Sequence, residues 1–252
     1  MKNNGLRNEY LFIKSITGKK LCELNFLLQE LILYLFPYIT NKNTIYCYKN
    51  NYYEKGDICI RVRNKIKYVS IKTGLRNSVH SENIDLFTKY LTKIGINKNI
   101  IEDILKYHYA DGTMDGSGTI RLSVNEYKIK NKNSIDLINN SFRDEKILKK
   151  MIWRFLLQGT QPVFHPIDIL IYGTPSEFFF ITPKEIDDYI LSKRYIDSSS
   201  IHFSCLTYQP LSRVLDYDDS KEYMRHSIQI KWYNLEDCII EILNMRVNNL
   251  KY

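Results

Sequence analysis

The chain predicts a mixed α/β fold, and three observations predict it. An amphipathic helical stripe comes first, three β-like runs follow within thirty residues, and a second amphipathic helix closes the set. The stripe is Leu21, Leu24, Leu27, Leu28, Leu31, Ile32 and Leu35, stopped by Pro37. The β-like runs are Thr44–Tyr48, Asp57–Val62 and Tyr68–Lys72. The polar stretch Arg63–Lys67 joins the last two as a hairpin. A helix is expected from Ser78–Ser81, with Ile84, Phe87, Leu91 and Ile94 buried and Gly95 as its stop.

The remainder reads as further mixed α/β. Helices are expected at Ile100–His108, Ile147–Phe155, Pro183–Leu191 and Leu235–Val247. Strands are expected at Thr119–Val124, Pro166–Tyr172, Phe178–Ile181, Ser200–Tyr208 and Ser227–Trp232. The polar, turn-prone stretch Lys128–Ser141 is the best boundary candidate. It would divide a core (residues 1–130) from a mixed α/β extension (131–252) packed on it.

Composition narrows the classes. With 44% hydrophobic residues in 252, the chain can build a sizeable core. A net charge of +8 suits a polyanionic partner. The five cysteines form no CxxC pair, which argues against a disulfide framework or a zinc site and predicts a reducing, cytoplasmic setting. The most apolar run, Leu24–Phe36, is broken by Gln29 and Glu30 and is too short to span a bilayer, so no membrane is expected. Phosphate-binding, dinucleotide-binding and serine-hydrolase motifs are missing. Asp111–Gly118 misses the EF-hand spacing and reads as a substrate loop or a plain turn.

The chemistry-bearing stretch is Gly56–Glu82. Asp57 opens one strand, and Ser70-Ile71-Lys72 ends the next. In a hairpin these ends meet, so a carboxylate and an ammonium face one point. This order, over roughly Lys19–Ile94, resembles the PD-(D/E)xK nuclease superfamily, with Ser70 where the (D/E)xK triplet has an acid.

The resemblance implies a restriction-endonuclease-like αβββαβ core and Mg²⁺-dependent (or Mn²⁺-dependent) hydrolysis of phosphodiester bonds in DNA, in restriction or phage defence. Asp57 and the carbonyl of Ile71 would be metal ligands, and Lys72 would position water and stabilise charge on the phosphate. The missing acid would come from a helix: Glu82 first, then Glu30 or Glu23. Arg76, Asn77, Ser78 and His80 would contact phosphate. Arg194, Arg213, Arg225, Lys231, Tyr208 and Trp232 would serve recognition or a protein interface. A homodimer, or a partner protein of a defence system, is implied by the same analogy.

Three alternatives stand beside this reading. An RNA-directed nuclease or toxin would share the site and differ only in substrate. Ser70 favours a catalytically inactive, nucleic-acid-binding or scaffold relative. A weaker echo, Asp168 with Lys184, has a similar interval, but Pro183 between the strand and that lysine reads as a helix start.

Overall fold

The computed structural model describes residues 4–50, 55–74, 76–211 and 222–249. They divide into two compact units that interleave along the chain. The first takes the residues up to Asn77, Leu156–Tyr189 and those from Asn234 onward. The second takes Ser78–Phe155 and Ile190–Tyr233.

The first unit is built on a five-stranded sheet ordered β1-β2-β3-β5-β6. Its strands are β1 (Ile45–Lys49), β2 (Ile58–Val62), β3 (Lys65–Lys72), β5 (Ile169–Thr174) and β6 (Glu177–Ile181). Neighbours are antiparallel except β3 and β5, which run parallel. Helices α1 (Asn4–Ile16), α2 (Phe26–Leu35), α8 (Pro183–Ser192, all but its last three residues) and α10 (Leu235–Asn249) complete the unit.

Alternation in β3 sets its two faces. Val69 and Ile71 join Ile58, Ile60, Ile169 and Ile171 in a core shared with Phe12, Ile16, Leu28, Leu31 and Ile32 of α1 and α2. Each fully buried side chain of this size contributes about 1.5–3 kcal/mol. Ser70 and Lys72 therefore lie on the opposite face.

The second unit carries the sheet β4-β9-β8-β7. Its strands are β4 (Arg76–Asn83, the first two residues belonging to the first unit), β7 (His202–Phe203), β8 (Leu206–Pro210) and β9 (Ser227–Tyr233). Helices α3 (Ile84–Ile94), α4 (Lys98–Tyr109), α5 (Val124–Lys130), α6 (Lys132–Ser141), α7 (Glu145–Ile152) and the short α9 (Glu222–Arg225) complete the unit, and a π-helical turn, Trp153–Leu157, whose last two residues belong to the first unit, extends α7. The polar stretch Lys128–Ser141 is thus largely helical.

Several expectations need correction. The helix expected from Ser78 is a strand as far as Asn83, which then caps α3 through Asp85 N–H. Asn77, Val79, His80 and Glu82 are buried while Ser78, Ser81 and Asn83 face solvent. No strand forms at Thr119–Val124; α5 starts at Val124 behind a Ser123–Glu126 capping box. Tyr208 and Trp232, expected at a recognition surface, are core residues at 2% and 0% exposure. Arg213 lies outside the described residues.

Candidate functional site

Register brings the predicted pair together. Ile58 is opposite Val69, so Asp57, one residue before β2, lies beside the end of β3. Its N–H donates to Val69 O at 2.8 Å. The carboxylate oxygen Oδ2 accepts from Ile71 N–H (2.6 Å), Ser70 Oγ–H (3.0 Å) and Lys72 Nζ (3.2 Å). Lys72 Nζ also donates to Ile71 O at 3.2 Å. Among the described residues nothing donates to Asp57 Oδ1, and the side chain is 26% exposed. Ser70 is buried and acts as a hydroxyl donor that fixes Asp57.

A second carboxylate, absent from the sequence-predicted set, acts on this pair electrostatically. Glu9 of α1 is 15% exposed and lies 3.4 Å from Lys49 Nζ. Burial pushes its carboxyl up, and the negative charge of Asp57 adds to that; Lys49 and Lys72 pull it partly back. Asp57, Glu9 and Lys72 thus act on one another electrostatically. A cation set between the two carboxylates would relieve their repulsion.

This donor set fits a hard divalent ion, which takes oxygen ligands and keeps several waters. Asp57 and the Ile71 carbonyl would supply oxygens, with Glu9, which acts on Asp57 electrostatically, as a third donor; the Lys72 ammonium already spans the carboxylate of Asp57 and the carbonyl of Ile71. Among the described residues no group of three or more His, Cys, Asp or Glu gathers. Asp57, Glu9 and the Ile71 carbonyl would give two carboxylates and a main-chain oxygen, a number that suits Mg²⁺.

The remaining predicted residues are placed as follows. Glu82 belongs to the second unit, where Arg154 grips both its oxygens through Nε (2.9 Å) and Nη2, and His80 Nε2 lies 2.8 Å from Oε1. Burial opposes its ionisation, but the hydrogen bonds and charges of His80 and Arg154 outweigh burial and hold the carboxyl below its ordinary value. Glu30 is exposed on α2, opposite the buried Leu28, Leu31, Ile32 and Leu35. Glu23 accepts from Lys20 N–H in its own short turn. Asn77 is buried and donates Nδ2–H to Gly74 O at 2.7 Å. Ser78 is exposed, His80 is buried beside Glu82, and the side chain of Arg76 lies outside the described residues.

The second Asp–Lys pair does not assemble. Asp168 precedes β5, which runs parallel to β3, so it sits at the end of the sheet away from Lys72. There it pairs with Lys67 Nζ (2.7 Å) and accepts from Tyr68 N–H (2.8 Å). Lys184, on α8, pairs with Asp188. Asp111–Gly118 is a turn wrapped around the fully buried Asp111 carboxylate, which accepts from Thr113 N–H, Gly118 N–H and Arg225.

No signal in the composition marks Glu9. Its helix has a buried stripe at Asn8, Phe12 and Ile16, spaced by four, but the polar Asn8 breaks the apolar pattern that would announce it.

Comparison with known proteins bears on the fold. No family model matches the chain, and no curated protein matches it. Among solved structures, the restriction endonuclease MspI in complex with its cognate DNA is similar, with a TM-score of 0.51 and 13% identity over 90% of this chain and 91% of that one. The chain therefore has a restriction-endonuclease-like fold. No helix among the described residues is long and apolar enough to cross a membrane.

Proposed function

We propose that this protein is a divalent-metal-dependent endonuclease that hydrolyses phosphodiester bonds in DNA, in restriction or phage defence within the cytoplasm. The observation that carries the reading is the Lys72 ammonium lying 3.2 Å from both Asp57 Oδ2 and Ile71 O at one strand end. Asp57, Ile71 O and Glu9 would hold Mg²⁺ or Mn²⁺, which when bound polarises the phosphate and lowers the pKa of a bound water. Ser70 and the Ile71 N–H keep Asp57 in its rotamer, leaving Oδ1 open. Lys72 supplies positive charge where charge grows on the phosphate. The exposed Ser78, and Arg76 two residues before it, would contact the backbone of the substrate. The restriction-endonuclease-like fold and the net charge of +8 support nucleic acid as the partner. A homodimer, or a partner protein of a defence system, would fit a cut through both strands.

Ser70 supports a second reading, an inactive relative that binds nucleic acid without cutting it. Titration with Mn²⁺ separates the two. The endonuclease binds the ion and loses it in Asp57→Ala. A protein indifferent to Mn²⁺ before and after the substitution is the scaffold.

A further inference from the structure

We infer that Tyr172 is a positioning residue for Lys72, acting through the carbonyl of Gly74; this rests on the endonuclease reading. Lys72 and Tyr172 are the last partners of the parallel β3–β5 ladder, so their side chains stand side by side on the face that carries Ser70. Beyond Lys72 the chain leaves the sheet through Thr73 and Gly74, and Gly74 adopts φ +81°, a conformation that favours glycine. A strand end that turns out this sharply frays unless its next carbonyl is held.

Two donors hold it. Asn77 Nδ2–H donates to Gly74 O at 2.7 Å and Tyr172 Oη–H at 3.2 Å. The tyrosine shares its single proton with Glu236 Oε2, 3.0 Å away in the first turn of α10. Only 8% exposed, Tyr172 cannot turn to water for partners. Burial first, then the hydrogen bond to Glu236, push its phenol up to about 12, so it stays a donor across the working pH range.

The consequence is specific. Lys72 and the bend at Gly74 form one short tether, and Tyr172 fastens it to the neighbouring strand. Loss of the hydroxyl removes one of the two donors that hold the tether without emptying the space the ring fills. Small displacements of a charge-bearing group cost rate more than binding. Tyr189 provides the comparison. It makes the same kind of bond to α10, from Oη to Glu241 Oε2 at 3.2 Å.

The test measures Mg²⁺-dependent cleavage of plasmid DNA, and amide hydrogen exchange over residues 73–77, for the native protein, Tyr172→Phe, Asn77→Ala and Tyr189→Phe. In Tyr172→Phe, kcat should fall by about tenfold with KM changed less than about twofold. Exchange over 73–77 should quicken by about tenfold in both Tyr172→Phe and Asn77→Ala. Tyr189→Phe should match the native protein in both assays. Unchanged exchange in Tyr172→Phe overturns the inference while leaving the endonuclease standing. So does an equal loss of kcat in Tyr189→Phe, which would mean general loosening. A native protein that cuts nothing overturns the endonuclease reading and the catalytic role of Tyr172 with it.

Discussion

Each unit of this protein contains a carboxylate bound by a cation, and the two pairs are built to opposite ends. In the second unit Glu82 is 2% exposed, and Arg154 and His80 occupy both its oxygens. In the first, Asp57 is 26% exposed, and its three donors crowd onto one oxygen. The Glu82 pair is saturated: any newcomer must displace a partner inside the protein. The Asp57 pair leaves a lone oxygen beside a carbonyl and an ammonium, with Glu9 acting on it electrostatically. An ion pair serves structure when its valences are spent and chemistry when one is left over.

Breaking the saturated pair should have the largest effect on stability. Arg154→Ala strands a buried carboxylate and should destabilise the protein by about 3–5 kcal/mol, read from urea denaturation. Cleavage per folded molecule should survive if Glu82 serves only structure. If instead metal affinity fell while stability held, Glu82 would return as the acid that completes the site.

Glu9→Gln sharpens the comparison from the other side. Burial and Asp57 raise the Glu9 carboxyl, so the folded protein holds that proton more tightly than the unfolded chain. Its ionisation therefore costs stability, which is full below the ordinary carboxylate value and is lost as pH rises through the folded value. Removing the charge should raise the melting temperature at pH 7 by about 2 °C. Calorimetry should also show Mn²⁺ affinity lower by about tenfold. A gain in stability joined to a loss of metal marks a group kept for function.

The pH dependence of Glu82 runs the other way. His80 and Arg154 hold its carboxyl below the ordinary glutamate value in the folded protein, so its contribution is present above the unfolded value and is lost as pH falls through the folded one. Melting curves between pH 6 and pH 3 should fall less steeply in Glu82→Gln than in the native protein. Ser70→Ala removes one of three donors to Asp57 and should be the mildest change, costing about 1 kcal/mol. Its Mn²⁺ affinity should stay within about threefold of native, because two donors still fix the rotamer.

The contrast also shows what a sequence discloses. Asp57 and Lys72 were legible because a hairpin joins their strands, and local pairing fixes where both ends meet. Gly95 was legible as a helix stop, and it caps α3 at φ +98°. Glu9 was not, because α1 carries a buried Asn8 in its stripe and its approach to Asp57 depends on packing across the sheet. The strand β4 was misread as a helix start, since serines and a histidine suit a cap as well as an edge strand. The partnership of Glu82 with Arg154, 72 residues away, is long-range and leaves no local mark.

The most direct test is cleavage of plasmid DNA with Mg²⁺ by the native protein and by Lys72→Ala, both checked for the same melting temperature. Metal-dependent cutting that falls by about 10²–10³-fold in the variant is the predicted result. Equal cutting by both proteins would contradict the site, and no cutting by the native protein on duplex or single-stranded DNA would contradict the enzyme.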